Sequence, residues 1–384
     1  MRLRYGMNPQ QQCAYAEPVM SHGLPFRVHN GQPSFINLLD ALSAWQLVRE
    51  ARAVLGVVAA TSFKHVSPAG AAIAGSLPEN LVRVYDLEKD SLTPAAVAYL
   101  RARGGDPRSS YGDFIAISDV VDVVTAKVIK RAVSDGIVAP GYAPGVVDIL
   151  RSKKKGSYLI LEMDPTFAPP ERESRELFGV RLVEERDNLL ISDHDLVPAN
   201  GDLPDQARRD LLLGLITIKH TQSNSVGYCY DGQMIGIGAG QQSRIDCTRL
   251  AGRKADTWFL VGHPKVLSLP FLPDVPALSR LNWQFRYIEG MDTSAELREF
   301  ERAVSRPVDP LTPDERHDWL ARADAVAFVS DGYIPFRDNV DEAHRHGVRY
   351  IASPAGSLRD DAVAEACREY GITLVHTRRR YFHH

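Results

Sequence analysis

Three short apolar runs near the end of the chain alternate with two helical segments. The runs cover residues 325–330, 348–353 and 372–376, and helices are predicted after Asp338 and after Ser357. A strand, a helix and a second strand in this order imply that the two strands pair in parallel, with the helix crossing one face of the sheet. The sequence therefore predicts an α/β protein in which ligands gather at the carboxyl ends of the parallel strands.

The first half of the chain has the same alternating character. Apolar side chains at helical spacing predict a helix over 35–55, and the following run 56–63 is typical of a buried strand. Farther along, turn and cap residues bound more elements: a helix from Thr93-Pro94 to Gly104-Gly105, a strand at 113–118, a helix after Asp119 and a strand at 136–140.

A segment between the two halves looks different from both. Residues 164–206 are rich in proline, charge and Asp/Asn turns and show no strong periodicity, which predicts a loop-rich connection. We therefore expect two α/β halves of comparable length, residues 1–200 and 201–384, whose likeness an old duplication would explain.

Charge and cysteine content exclude several classes of protein. Among 384 residues, 45 Lys and Arg stand against 48 Asp and Glu, and the net charge is −3, so the chain has no long-range positive field that would attract nucleic acid. The four cysteines form no CxxC pair that would begin a zinc site, and no stretch reaches the roughly 18 apolar residues of a membrane span. We expect a cytoplasmic protein with reduced thiols, no metal and no contact with membrane or nucleic acid.

The basic pair Lys64-His65 is the first candidate for chemistry. It follows the strand 56–63, and Ser67-Pro68 resembles the cap and first position of a helix, so the pair is expected between a strand end and a helix start. An ammonium beside an imidazole disfavours protonation of the ring, which leaves it available as a general base. The alternative is a solvated basic loop.

Other candidates depend on how the chain folds. Asn224 could hydrogen-bond a carbonyl or oxyanion, or it could cap a turn before the hairpin 228–238. The run 236–240, Gly-Ile-Gly-Ala-Gly, has its third glycine one residue too early for a dinucleotide loop, so close backbone packing or a ligand-facing turn is the better interpretation. Three arginines that lie far apart in sequence could bind a phosphate together or could each form a surface ion pair. They are Arg4, Arg244 and Arg380.

Two segments of the second half combine aromatic and charged residues. One segment at a predicted strand end is suited to binding a flat heterocycle or to capping the next helix, and it contains Asp331, Pro335, Phe336, Arg337, Asp338 and Asn339. The basic, aromatic tail 378–384 could be a solvated end or could be partly buried.

Taken together, these motifs resemble the formyltransferase domain of the bifunctional AICAR transformylase/IMP cyclohydrolase family, where AICAR is 5-aminoimidazole-4-carboxamide ribonucleotide. The resemblance covers nearly the whole chain and rests on segments in the family's order and spacing: 3–9 (LRYGMNP), 63–70 (FKHVSPAG), 109–114 (SSYGDF), 221–226 (TQSNSV), 236–244 (GIGAGQQSR), 335–341 (PFRDNVD) and 382–384 (FHH).

The resemblance implies a fold and an activity. The fold is two cytidine-deaminase-like α/β/α halves without the deaminase zinc, assembled as a homodimer with active sites at the interface. The activity is transfer of a formyl group from the cosubstrate 10-formyltetrahydrofolate to the 5-amino group of AICAR, which gives the formamido nucleotide FAICAR in purine biosynthesis.

Site residues also follow from the resemblance, position by position. His65 is the expected proton acceptor, Lys64 stabilises the transition state, and Asn224 orients the reacting groups. The set expected to bind AICAR is Arg4, Tyr5, His65, Gly112, Asp135, Asn224, Arg244 and Arg380. The set expected on the folate side is Ile245, Tyr333, Pro335, Asp338, Ser357 and Leu358.

The sequence departs from the family at Tyr111 and Tyr333, where members often have Phe, and in the lack of one domain. The cyclohydrolase domain that precedes these motifs in bifunctional members does not precede Arg4 here, so no IMP cyclohydrolase activity is expected and a separate cyclohydrolase is implied. Two other functions stay open: a non-enzymatic folate- or nucleotide-binding regulatory subunit, and a deaminase-like hydrolase, which the lack of metal ligands disfavours.

Overall fold

A single sheet of twelve strands runs through the computed structural model, which describes residues 1–21, 23–79, 81–82 and 91–384. A separate ribbon has two strands, β7 and β8. The strands are β1 (Phe26–Asn30), β2 (Ala59–Lys64), β3 (Ser67–Ile73), β4 (Asp113–Ile117), β5 (Ser134–Ala139), β6 (Leu159–Met163), β7 (Arg172–Leu177), β8 (Val180–Glu185), β9 (Val197–Pro198), β10 (Val226–Tyr230), β11 (Gln233–Gly238), β12 (Val326–Ser330), β13 (Val348–Pro354) and β14 (Thr373–Thr377).

Helices connect most of these strands. In chain order they are α1 (Phe35–Leu55), α2 (Pro94–Gly105), α3 (Val123–Arg131), α4 (Val146–Arg151), α5 (Asp205–Lys219), α6 (Arg244–Val261), α7 (Pro264–Leu267), α8 (Ala277–Glu289), α9 (Ser294–Ala303), α10 (Pro313–Leu320), α11 (Asp338–His344) and α12 (Asp360–Glu369). Side-chain caps start several of them: Ser34 accepts from the Asn37 amide, Thr93 from Ala96 and Asp122 from Thr125. Among the described residues, no helix is both long enough and apolar enough to span a bilayer.

The order of elements repeats in the two halves. An edge strand, a helix, a hairpin, a helix and then three strands with two intervening helices occur first from β1 to β6 and again from β9 to β14, where α7 to α10 are inserted. The sheet order is β1-β6-β5-β4-β2-β3-β11-β10-β12-β13-β14-β9, so the two units meet where β3 pairs with β11. Strands β12, β13 and β14 pair in parallel, which confirms the expected βαβαβ arrangement, and β4, β5 and β6 do the same. We propose that the halves divide near residue 200, because β9 already belongs to the edge beside β14.

Helices cover both faces of the sheet. Helices α1 and α5 share one apolar core that continues under both halves, with Trp45, Leu47 and Leu213 at its centre. The opposite face has two separate cores, one under α2, α3 and α4 and one under α6, α11 and α12. The inserted helices α8 and α9 enclose a fourth core with α7. The expected α/β/α architecture is confirmed.

The prediction of a helix beginning at Ser67-Pro68 is wrong. These residues begin β3, which forms a two-residue hairpin with β2 through His65 and Val66. Pro68 is tolerated because the ladder is irregular at Ser62 and Phe63. A residue before proline also favours extended backbone, so the same dipeptide suits a strand.

The prediction of a loop-rich connection over 164–206 is wrong in part. It contains the ribbon, defined as β7 and β8, joined at Phe178 and Gly179. Residues paired across a ribbon point to the same face, which places Leu177, Val180 and Leu182 together on one side. All three are more than half exposed, and Phe178 at the tip is fully exposed. The ribbon therefore presents an apolar face near its tip that nothing in the described part of the chain covers, and charged residues, Arg175, Glu173 and Glu184, continue the same face toward the base.

Candidate active site

The predicted site residues lie along one edge of the sheet. Antiparallel pairing of β2 with β4 and of β10 with β12 brings the end of β2, the starts of β4, β5 and β10, and the ends of β12 and β13 to the same edge. They form two groups. The first contains Lys64, His65, Arg4, Tyr5, Gly112 and Asp135, and the second contains Asn224, Arg244, Arg380 and the folate-side residues.

The hairpin turn after β2 displays the basic pair of the first group. His65 is exposed, and both His65 and Val66 have positive φ angles, 55° and 59°. The half-buried Lys64 donates from Nζ to the carbonyl oxygen of Tyr111 at 2.6 Å, which fixes its ammonium on the β4 side of the turn. The imidazole is therefore accessible to a ligand while the neighbouring cation is held in place.

Asp135 and Gly112 flank this turn. Gly112 has a φ of 72°, and a Cβ there would lie 4.0 Å from the Asp135 carboxylate. Asp135 also forms a 2.6 Å ion pair with Lys154. The glycine thus lets the backbone turn close to a charged, partly exposed carboxylate.

Arg4 and Tyr5 reach the same edge through the start of α1. The Phe35 amide donates to the Tyr5 carbonyl at 3.1 Å, and the Arg4 amide donates to the Pro33 carbonyl at 2.9 Å. The Arg4 guanidinium bonds the Tyr5 hydroxyl at 2.9 Å. Within the described residues it has no carboxylate partner, so it is available to an anion.

Asn224 is fixed by its neighbours in the second group. Its Oδ1 accepts from Arg244 Nη2 at 2.8 Å, and its Nδ2 donates to the Gln242 carbonyl at 3.2 Å. Arg244 Nη1 forms a buried ion pair with Asp331 Oδ1 at 2.5 Å. The other carboxylate oxygen of Asp331 accepts from the Ser223 hydroxyl at 2.6 Å. One buried charge pair therefore sets the orientation of the amide.

The carboxyl-terminal tail packs onto this pair. The Tyr381 amide donates to the Asp331 carbonyl at 2.8 Å, and the His383 amide donates to Ser223 Oγ at 3.0 Å. Burial lowers the pKa of His383 to about 4. The exposed Arg380 guanidinium lies over the Phe382 ring, 4.4 Å from its centroid. The tail is thus part of the site edge, and of its two aromatic residues Tyr381 is buried and Phe382 is partly exposed.

The folate-side residues follow two neighbouring parallel strands. Tyr333, Pro335 and Asp338 come after β12, with Tyr333 and Asp338 exposed, and Ser357 and Leu358 come after β13. A bond of 2.9 Å from Thr248 to Asn339 ties this segment to α6, whose first turn contains Ile245. The structure therefore brings this set to adjacent strand ends, where an α/β sheet binds ligands.

The strands that carry the two groups are not adjacent in the sheet. Three strand spacings separate the end of β2 from the start of β10, which corresponds to about 14 Å. The Lys64 ammonium is also directed to the β4 side, away from Asn224. The loop before β10 nevertheless reaches the first hairpin, because the Gln222 amide donates to Ser67 Oγ at 3.5 Å.

Two residues hold the site in ways that the sequence analysis did not predict. Asp331 is fully buried under the second group, and Asp40 accepts the Val66 amide at 2.7 Å in the first. Asp331 belongs to the segment predicted to bind a heterocycle or to cap a helix, whereas its carboxylate pairs with Arg244 and accepts from Ser223. Asp40 gave no signal by itself, because it lies on a helix distant in sequence from the turn.

The glycines after β10 allow close packing, as their spacing suggested. A Cβ on Gly236 would lie 2.2 Å from the Ala251 carbonyl oxygen, and one on Gly238 would lie 2.6 Å from that of Cys247. Strand β11 therefore packs directly on the backbone of α6. In the parts of the chain that the structure describes, no group of three or more His, Cys, Asp or Glu side chains is arranged to hold a metal ion.

Comparison with known proteins shows the family of the chain. The sequence model of the AICARFT/IMPCHase bienzyme family matches residues 1–254. The chain is 29% identical over 389 residues to the bifunctional purine biosynthesis protein PurH of Persephonella marina, and equally to that of Magnetococcus marinus. In both cases the match covers 100% of this chain and 59% of the relative, so the chain spans a little over half the length of these proteins. With the matched family covering well over half of its residues, this chain belongs to the AICARFT/IMPCHase bienzyme family.

Proposed function

We propose that this chain is the AICAR formyltransferase of purine biosynthesis, which transfers the formyl group of 10-formyltetrahydrofolate to the amine of AICAR. The observation that carries the proposal is the hairpin turn after β2, which exposes His65 beside the fixed ammonium of Lys64. Membership of the family, whose relatives are named for purine biosynthesis, supports the same conclusion.

The proposed chemistry needs a base and a cation. The AICAR amine is a weak nucleophile and loses a proton as its nitrogen bonds the formyl carbon, and His65 accepts that proton. The formyl oxygen becomes an oxyanion, which the Lys64 ammonium stabilises. The intermediate then collapses, the bond from carbon to N10 of the folate breaks, and N10 takes the proton back from His65. No net proton is lost or gained by the protein.

The charges of the two groups suit the two substrates. Arg4 and Arg380 have guanidinium groups without carboxylate partners among the described residues, and either could bind the nucleotide phosphate. Arg244 already pairs with Asp331 and donates to Asn224. We therefore propose that Arg244 orients the Asn224 amide toward the reacting groups. Exposed Tyr333 and Leu358 would contact the folate ring.

A homodimer would complete the site. Because three strand spacings, about 14 Å, separate the end of β2 from the start of β10, we propose that Asn224 of one copy meets Lys64 and His65 of another. The apolar face of the ribbon supports pairing with a second copy, since an isolated two-stranded ribbon is marginally stable in water. The ribbon carries charges of both signs, and on its opposite face Arg181 pairs with Glu176 at 2.7 Å. Such a surface suits a two-fold self-contact.

The test is to mix AICAR with 10-formyltetrahydrofolate and to follow tetrahydrofolate release. The wild type should turn over, and His65→Ala should reduce kcat by about 10²- to 10⁴-fold, the usual contribution of a general base. His317→Ala is the matched control, because His317 is exposed on α10 away from the edge. Folded protein that binds both compounds without turnover would contradict the proposal and favour a regulatory binding subunit.

A further inference from the structure

The turn that displays His65 has an unfavourable sequence for its geometry. Lys64 pairs with Ser67, so the hairpin loop has only two residues, and both have positive φ. Loops of this kind prefer Asn-Gly or Asp-Gly, because both residues must adopt the left-handed conformation. Val66 is β-branched, and for such residues positive φ is a true outlier that surrounding contacts must enforce.

The matching hairpin of the second half shows how the same turn is normally built. Tyr230 pairs with Gln233, and the loop between them is Asp231-Gly232, with φ of 49° and 71°. Here the sequence satisfies the turn without strain. The first turn therefore has His-Val where the corresponding turn of the second half has the favoured Asp-Gly.

An aspartate on the preceding helix bonds each turn. Asp40 lies five positions after the first residue of α1, and Asp210 lies five positions after the first residue of α5. Asp40 Oδ1 accepts the Val66 amide at 2.7 Å, while the Asp210 carboxylate accepts the Asp231 amide at 3.0 Å and also that of Gly232. Both halves therefore have a helix aspartate that bonds the hairpin turn, but only the turn bonded by Asp40 has a sequence that disfavours its conformation.

We propose that Asp40 is a positioning residue for His65: its carboxylate holds the Val66 amide, and so keeps the strained turn in the one conformation that presents the imidazole at the site edge. Asp40 acts through the backbone, because the contact joins its Oδ1 to the amide of the residue after His65. This inference rests on the proposed role of His65 as the base.

The surroundings of Asp40 fit an anchor that is held partly out of water. Its carboxyl faces His65 across the turn, and the acids Asp135 and Asp113 at the starts of β5 and β4. Burial raises the pKa of Asp40 to about 6, while the Val66 amide and His65 favour its charged form. The carboxylate is therefore ionised at neutral pH, when an amide bonded to it is held most strongly.

The experiment compares Asp40→Ala with its matched control, Asp210→Ala. In the first variant the Val66 amide should exchange with solvent about 10- to 100-fold faster, as expected for loss of a hydrogen bond to a charged group. Its kcat for formyl transfer should fall by a similar factor with KM for AICAR within about twofold. Asp210→Ala should lose protection at its own turn and keep kcat within about twofold.

Two further variants separate positioning from general stability. Asn can accept the same amide hydrogen bond, so Asp40→Asn should lose less than about fivefold in kcat. Val66→Gly added to Asp40→Ala should recover about tenfold, because glycine adopts positive φ freely. Unchanged protection of the Val66 amide in Asp40→Ala, equal losses of kcat in both alanine variants, or no recovery with glycine would overturn the proposal.

The exchange measurement also distinguishes failure of this inference from failure of the proposed function. A wild type without formyl transfer would refute the function, yet the Val66 amide would still report whether Asp40 holds the turn. Lost protection would then support the anchor, and retained protection would refute it. An active wild type with an unaffected Asp40→Ala variant would refute the inference alone.

Discussion

Replacing Arg244 with methionine tests the buried charge pair that orients Asn224. The Arg244 side chain is 7% exposed and that of Asp331 is fully buried, and their closest atoms lie 2.5 Å apart. Arg244→Met keeps the apolar bulk of the side chain but leaves the Asp331 carboxylate without its cation. It also removes the donor that fixes Asn224 Oδ1 at 2.8 Å.

The expected cost is large because breaking a buried pair leaves an uncompensated charge. Such losses amount to about 3–5 kcal/mol. The Ser223 hydroxyl and the Ser225 amide still donate to Asp331 in the variant, so we expect a loss at the lower end of that range. Arg244→Met should therefore lower the free energy of unfolding in urea by about 3 kcal/mol. Adding Asp331→Asn should recover part of the loss, since the amide carries no charge.

Arg249→Met is the matched control on the same helix. Arg249 forms an exposed ion pair with Asp246, with both side chains more than half exposed, and such pairs contribute at most about 1 kcal/mol. An equal effect of Arg244→Met and Arg249→Met would refute the reasoning. A double variant less stable than Arg244→Met alone would do the same.

Three further predictions follow from other parts of the structure. Lys64→Met should lower kcat by about 10²- to 10³-fold through loss of oxyanion stabilisation, whereas Lys127→Met on the exposed side of α3 should not, as steady-state kinetics would show. Leu182→Asp on the apolar face of the ribbon should shift the protein from dimer to monomer in sedimentation, and Val183→Asp on the other face should shift it less; equal sedimentation of both would argue against the ribbon interface. Burial raises the pKa of Asp210 to about 6, so the folded protein holds that proton more tightly than the unfolded chain, and the resulting stability is present at low pH and lost as pH rises through about 6. Between pH 5 and 7.5 the wild type should lose about 1.4 kcal/mol of unfolding free energy relative to Asp210→Asn, and parallel curves in urea would contradict this.

The parts of the fold that sequence patterns predicted are those set by local signals. Helix α1 has apolar residues at regular spacing and an N-cap at Ser34, and the strands from β12 to β14 are short apolar runs between turns. The strands bury most of their residues and α1 buries one apolar face, so pattern and packing agree. The order of these elements then limited the topology to parallel pairing.

The parts that sequence patterns missed depend on contacts between distant segments. Ser67-Pro68 has the signature of a helix start, but pairing with β2 and the close approach of α2 at Gly70, where a Cβ would lie 2.1 Å from the Ala102 carbonyl oxygen, make it a strand. The ribbon has mixed charges and a Phe-Gly turn, which are weak hairpin signals. Motif matching placed Lys64, His65 and Asn224 in one site, whereas only the sheet order shows that three strand spacings, about 14 Å, separate the strand ends that carry them.

The most direct test of formyl transfer itself follows both reacting atoms. AICAR labelled with ¹⁵N at the amine is incubated with 10-formyltetrahydrofolate labelled with ¹³C in the formyl group, and the products are observed by NMR. The account predicts a product in which ¹³C is coupled through one bond to ¹⁵N, formed by the wild type and by His317→Ala and strongly reduced in His65→Ala. Labelled formate without any coupled product, or undiminished coupling in His65→Ala, would contradict it.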